Sequence, residues 1–310
     1  MLWKQFLYKV ASAVATLLTV SVLIFFAVEV LPQDPALAAL GHESTPEERQ
    51  LFRERMHLND PPVQRYVRWL SGLLKGDFGR SVISGRPVVL SLGGRLARTA
   101  VLTVAAISVS LVGALPFAIA AARRPGRSVD LLTSATALGV SAVPEYVIGI
   151  CLLLVLAVAI HLLPVVSTGI NEGQWEGYVL PVMTLALVSG SYVYRLARVS
   201  LIETLHATYV RSAVLHGFSP LRIMWRHVLP NAGIVLVNVV ALNAIYLIGG
   251  VIVVENVFAY PGLGTLLVEA ISTKDLPVIE GVAMITSAFI IIINLLADGL
   301  VVVLNPRLRT

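Results

Sequence analysis

Residues 203–231 read ETLHATYVRSAVLHGFSPLRIMWRHVLPN, the most polar run between two long apolar segments in the second half of the chain. The spacing predicts two short helices set at an angle. The first would turn Leu205, Tyr209, Ala213 and Leu215 or His216 towards one side. Gly217 supplies a residue that can take positive φ at a helix C-terminus, with apolar Phe218 after it. Ser219-Pro220 reopens a helix, with Ser as N-cap and Pro at the first helical position. Leu229-Pro230 is expected to close that helix, because proline lacks an N–H and its ring clashes with the preceding turn. By spacing alone, a basic loop that anchors topology fits this stretch as well as a functional one does. A helix-turn-helix DNA binder fits poorly, since apolar spans flank the stretch on both sides.

Working outward, the chain is apolar nearly throughout. Of its 310 residues 57% are hydrophobic and 13% charged, where a soluble domain carries about 25% charged residues. The fold class is therefore an all-α polytopic membrane protein. The net charge of +5 does not point to nucleic acid, because the basic residues sit at membrane ends, where cytoplasmic Lys and Arg are enriched. The single Cys151 allows no disulfide within one chain.

Six spans follow from length and charge. Residues 10–28 are long enough to cross, and are read as a retained first span rather than a cleaved signal, with Lys4 and Lys9 inside and Glu29 at the outer end. Residues 31–97 form the one sizeable non-membrane segment. In it Thr45-Pro46-Glu47-Glu48 starts a helix to about Met56, and an amphipathic helix over 63–74 places Val63, Val67, Leu70 and Leu74 on one face. That segment is too short for a core of its own, so it is expected to pack on the membrane part. Residues 99–122, kinked by Pro116, make the second span, stopped by Arg123-Arg124-Pro125-Gly126-Arg127. Residues 131–163 read as one long helix kinked at Pro144, with 131–143 partly at the inner surface. Residues 178–194, 232–254 and 278–304 complete the set. The parts are thus an N-terminal span (1–30), an extracytoplasmic segment (31–97) and a five-helix core (98–310) with the loop 203–230. An even number of spans puts both termini on the cytoplasmic side. The inner segments hold Lys4, Lys9, Arg123, Arg124, Arg127, Arg195, Arg198, Arg211, Arg222, Arg226, Arg307 and Arg309, and the two short outer loops only Lys274.

Polar interruptions of apolar spans mark candidates for a pathway. They are Glu145 and Tyr146 beside Pro144, and Asn238, Asn243 and Tyr246 on the fifth span. At 3.6 residues per turn Asn238 and Tyr246 lie about 80° apart and Asn243 about 140° from Asn238, so the three cannot share one narrow pore face. Helix–helix hydrogen bonding is the competing role for each. His161 is read as interfacial, and Asp298 as an inner-end anchor for Arg307 or Arg309. No nucleophile–base pair, metal-spaced His/Cys cluster or nucleotide loop stands out; 255–264 (ENVFAYPGLG) lacks Walker spacing.

Several motifs resemble the permeases of ABC importers. Tyr209-Val210-Arg211-Ser212-Ala213, then Gly217, then Leu229-Pro230 is similar to their cytoplasmic EAA loop, with Arg211-Ser212-Ala213 for Glu-Ala-Ala and His227 where Ile is usual. The Tyr-Val-Arg-Ser-Ala form looks like the dipeptide/oligopeptide/nickel branch, as do Leu58-Asn59-Asp60-Pro61, Gly76-Asp77-Phe78-Gly79, Gly85-Arg86-Pro87-Val88 and the run 255–264. The resemblance implies a bacterial inner-membrane subunit forming half of a translocation pathway beside a second homologous permease. It also implies an extracytoplasmic binding protein and two ATPase subunits, which hold the ATP and Mg; this chain would have no cofactor and no catalysis of its own. Tyr209, Arg211, Ser212, Ala213, Gly217, Leu229 and Pro230 would form the ATPase-coupling loop. Di- or oligopeptides would be the cargo, with nickel or glutathione as alternatives. An ion-coupled secondary transporter using Glu145 or Asp298, and a structural scaffold, are the rival classes.

Overall fold

The computed structural model describes residues 2–29, 35–41, 43–55, 58–168 and 173–304. Among these the regular structure is helical, apart from one isolated bridge between Arg80 and Pro87. Five helices are long and apolar enough to cross a membrane, and a bent pair would make a sixth. The chain divides into two compact units: residues 4–99 with 261–291, and residues 100–260 with the two chain ends.

The first unit begins with α1 (Leu2–Glu29), followed by three short helices, α2 (Pro35–Leu40), α3 (Pro46–Arg55) and α4 (Pro62–Leu74). The start of α3 is a reciprocal cap. Thr45 Oγ1 accepts from the Glu48 N–H, and the Glu48 carboxylate accepts from the Thr45 N–H at 2.8 Å. The expected end at Met56 lies outside the described residues. Then α5 (Val88–Arg123) opens after a tight loop in which Gly79 and Gly85 take φ of +78° and +67°. The loop is tied down by Asp275, whose carboxylate accepts from Ser81 Oγ and from the Val82 N–H. Val88 and Leu92 pack on Val278, Val282 and Leu266, and a Cβ at Gly281 would stand 3.2 Å from the Val88 side chain.

In the second unit α6 (Ser128–Ala142) and α7 (Glu145–Leu152) meet at a bend of 102°. This corrects the single kinked helix expected over 131–163. Pro144 forces Val143 into an extended conformation (φ −98°, ψ 131°), so the helical ladder stops instead of bending. A π-helical stretch, Leu153–Ala159, continues α7. The long α8 (Val179–Leu205) follows, and then α9 (Thr208–Leu215) and α10 (Pro220–Ile223). Next come α11 (Leu229–Val257), α12 (Leu263–Thr273) and α13 (Leu276–Leu304). The α12 helix and the start of α13 belong with the first unit. The sequence reading missed α12 as a separate helix and ended the fifth span at residue 254. In the structure Glu255 is fully buried in the last turn of α11, not in an external loop.

Two apolar clusters hold this unit. One joins Ala118, Ala121 and Ala122 of α5 to Val193, Ala197 and Leu201 of α8. Small residues there let helix backbones approach closely, the usual means of packing where lipid removes a hydrophobic drive. The other gathers Leu102, Leu180, Leu185, Leu247 and Val254 around Phe258 and Tyr260.

Candidate functional site

The polar stretch 203–231 folds as two short helices, built largely by local capping. His206 and Ala207 end α8 and restart the chain as α9. At its other end Gly217 has φ +76°, the Gly217 N–H donates to Val214 O at 2.9 Å, and the Phe218 N–H donates to Ala213 O at 3.2 Å. This pair of bonds is a Schellman closure, which needs a left-handed residue at Gly217. The Ser219 hydroxyl accepts from the Arg222 N–H, with Pro220 in the first turn of α10. Phe218 is stacked on His227 and lies under the Arg222 guanidinium, 4.5 Å from its centroid.

Two expectations are corrected here. Leu229-Pro230 does not close the second helix. A π-helical turn, Met224–Val228, carries the chain from α10 directly into α11, and Pro230 occupies the first turn of α11. A wider turn before a proline relieves the clash that an α-helical ladder would suffer, and a first-turn residue has no need of its N–H. The face assignment of the first helix also changes. Because α9 restarts at Thr208, Val210 and Ala213 point inward, while Tyr209 is exposed and Leu215 is 88% exposed.

The pair of helices therefore has two faces. Val210, Ala213, Ile223, Met224 and Val228 are buried in the cluster with Ala197 and Leu201 of α8. Outward stand Val214, Leu215, Leu221 and Trp225, the last 67% exposed, beside exposed Arg211, Ser212, Arg222 and Arg226. Partial burial pushes the Tyr209 phenol above its ordinary value. The sequence reading missed Leu215, Leu221 and Trp225 as an outward apolar set.

A buried ion pair braces the same end of the unit. Asp130 of α6 accepts from the Arg198 guanidinium of α8, at 2.7 Å for Nη2, from the Gly126 N–H at 2.8 Å and from Ser134 Oγ. The Tyr194 hydroxyl bonds to Thr133 at 2.6 Å beside it. With Asp130 only 2% exposed, these contacts satisfy a charge that would be costly alone.

The pathway candidates separate. Asn243 is fully buried and donates to Ser189 of α8, which donates to Ser110 of α5 at 3.0 Å. This chain of polar groups joins three helices and leaves Asn243 Oδ1 without a partner. Asn238 and Tyr246 of α11 are exposed. Glu145 is half-buried at the start of α7, and its carboxylate lies where a Cβ at Gly250 of α11 would meet it at 3.0 Å. Tyr146 is exposed. The structure thus brings Glu145 to α11 and separates Asn243 from Asn238 and Tyr246. The expected partners of Asp298, Arg307 and Arg309, lie outside the described residues. Among the described residues no group of three or more His, Cys, Asp or Glu comes together in a way that could hold a metal ion.

The run 255–264 is a packed turn. Tyr260 is fully buried, its ring edge-on to Tyr178 at 5.7 Å, and Ser167 N–H donates to Phe258 O at 2.8 Å. Gly149 of α7 is pressed against the Phe258 ring, so a Cβ there would stand 3.3 Å from it.

Comparison with known proteins gives this arrangement a family. Residues 114–310 match the family described as "Binding-protein-dependent transport system inner membrane component", and residues 2–111 match its N-terminal companion. The chain is 36% identical over 308 residues to the "Probable peptide ABC transporter permease protein y4tP" of Sinorhizobium fredii, covering 98% of each. It is 33% identical over 301 residues to the glutathione transport system permease protein GsiC of Escherichia coli, covering 97% of each. A solved structure of the MetNI methionine ABC transporter, in inward-facing conformation, shares the fold, with a TM-score of 0.52 at 18% identity over 67% of this chain and 94% of that one. Family matches over nearly the whole length, with two relatives above 30% identity, leave one assignment: this chain belongs to the inner-membrane components of binding-protein-dependent transport systems.

Proposed function

We propose that this chain forms half of the translocation pathway of an ATP-driven importer of di- or oligopeptides. In this reading it stands beside a second homologous permease, receives cargo from an extracytoplasmic binding protein, and takes its power stroke from two ATPase subunits that hold ATP and Mg. Family membership supports a transport role and removes the ion-coupled and scaffold readings. Both termini would be cytoplasmic, with six crossings. The relatives named for peptide and for glutathione support a peptide-like cargo, glutathione being itself a small peptide.

One observation carries the coupling role. The outward face of α9 and α10 presents Leu215, Leu221 and Trp225, while the opposite face is anchored on α8. A rigid, exposed apolar knob at the end of a span suits insertion into a cleft of a partner, because a few buried large side chains dominate such contacts. Motion of the partner would then be passed to α8 and α11 as rigid bodies.

The test uses Leu215→Asp and Trp225→Asp in the co-expressed complex. Each should reduce co-purification of the ATPase subunits at least about tenfold, the change expected from losing roughly 1.4 kcal/mol at an interface centre. Membrane insertion should stay normal. Unchanged ATPase association in both variants would refute the docking role.

A further inference from the structure

The amphipathic helix α4 leaves its apolar stripe bare. Val63, Val67, Leu70 and Leu74 fall within about 60° of one another around the helix. Val63, Val67 and Leu74 are 64%, 58% and 80% exposed, and no residue of α4 is buried. The face that packs within the protein is a neighbouring one. Tyr66 and Trp69 form an aromatic cluster with Phe25 of α1, at centroid distances of 5.5 and 5.7 Å, and the Tyr66 hydroxyl bonds to the Ser21 hydroxyl at 2.8 Å. Gln64 and Ser71 are exposed on the polar side of the helix.

These contacts set a depth. The apolar span of α1 runs Leu7–Val28. Ser21 lies about 10 Å and Phe25 about 4.5 Å inside its C-terminal end, at 1.5 Å per residue. A tyrosine reaching to Ser21, and a tryptophan level with Phe25, hold the α4 backbone where hydrocarbon gives way to headgroups. Near the same end α1 itself exposes Leu18, Val22 and Leu23. Within the protein Arg68 pairs with Asp60 at 2.6 Å, and Lys75 caps the C-terminus of α4.

We propose that α4 is an interfacial helix whose Val63–Val67–Leu74 stripe is covered by bilayer lipid, seated in the headgroup–acyl boundary at the C-terminal end of α1. Two observations commit the stripe to lipid: it stands beside the C-terminal end of an apolar span that itself exposes large apolar side chains, and an aromatic pair of the interfacial type anchors it there. The proposed topology enters only in naming the outer leaflet. The helix would fix the angle at which α1 leaves the membrane and so tie the segment 35–97 to the bilayer plane.

The test places single cysteines at Val67, Leu74 and Gln64 of the full chain, in a Cys151→Ser background, each labelled with bimane in phosphatidylcholine–phosphatidylglycerol vesicles. Acyl-brominated lipid should quench the label at 67 and 74 at least about twofold more than at 64, and aqueous iodide should show the reverse order. Iodide reaching 67 and 74 as readily as 64 would overturn the proposal. So would protection that arises only when an extracytoplasmic binding protein is added, which would assign the stripe to that partner. Iodide supplied to one face of sealed vesicles reports the leaflet separately, so a wrong topology and a wrong depth give different results.

Discussion

Gly217 stands at φ +76°, and a Cβ added there would meet nothing within 4 Å. The cost of replacing it is therefore backbone strain alone, about 1–2 kcal/mol for an ordinary L-residue in the left-handed region. Asn tolerates that region and a β-branched residue does not. Gly217→Val should weaken ATPase association or uncouple hydrolysis from uptake, while Gly217→Asn retains most of both; equal behaviour of the two variants would show that the left-handed turn is unimportant. This residue was legible in the sequence because its chemistry is local: a glycine, an apolar residue after it, then Ser-Pro. The division of the polar residues on α11 was legible for a similar reason. The angle between Asn238 and Asn243 follows from helix geometry, and the structure buries the second while exposing the first. What no local rule supplies is the identity of the groups that Asn243 meets, Ser189 and through it Ser110, which lie 54 and 133 positions away. The same holds for the approach of Glu145 to Gly250, which only the packing of α7 on α11 creates.

Helical elements were read well where they begin with a cap and poorly where they end against a proline. Thr45, Ser219 and Gly217 all cap as their residue types predict. Pro144 and Pro230 did not act as expected: the first breaks a helix through 102°, as its effect on Val143 allows, where a kink was expected, and the second sits in the first turn of α11 after a π-helical turn. Proline's effect depends on whether neighbouring elements can use the freed geometry, and that is a tertiary matter. The Asp130–Arg198 pair holds the start of α6 against α8. Removing one partner of a buried pair costs up to about 3–5 kcal/mol, less here because the Arg198 side chain keeps 26% exposure. Asp130→Ala should lower the thermal midpoint of the purified protein by several degrees. Asp130→Ala with Arg198→Leu should recover part of that loss, since an uncompensated cation is the larger penalty. A double variant that is additive in stability would show that the pair is not coupled.

At the scale of the whole molecule the question is how often the chain crosses. Among the described residues five helices pass the length and hydropathy requirements, and the bent pair α6 and α7 makes a sixth if it is one span. Glu145 to Ala159 rises only about 22 Å, short of a hydrocarbon core of about 30 Å. Contacts within the second unit supply the missing argument. Asp130, at the start of α6, pairs with Arg198 near the end of α8, and the cluster around Ala197 and Leu201 also holds α9, α10 and the start of α11. At the other end, Ser167 and Tyr178 meet Phe258 and Tyr260, just beyond the end of α11. Between residue 130 and residue 198 the chain thus travels from one level to the opposite one and returns. In the proposed six-span topology α8 is one crossing and the bent pair, α6 with α7 and its π-helical extension, is the other. Six crossings would keep α9 and α10 on the side of both termini, as the proposed coupling role requires; five would put them across the membrane from the N-terminus. Ser44→Cys should react with an impermeant thiol reagent added to intact cells and Ser219→Cys should react only after lysis, both in a background lacking Cys151. Labelling of position 219 from outside would mean that the bent pair returns to its own side, and the coupling assignment of 203–230 would fall with it.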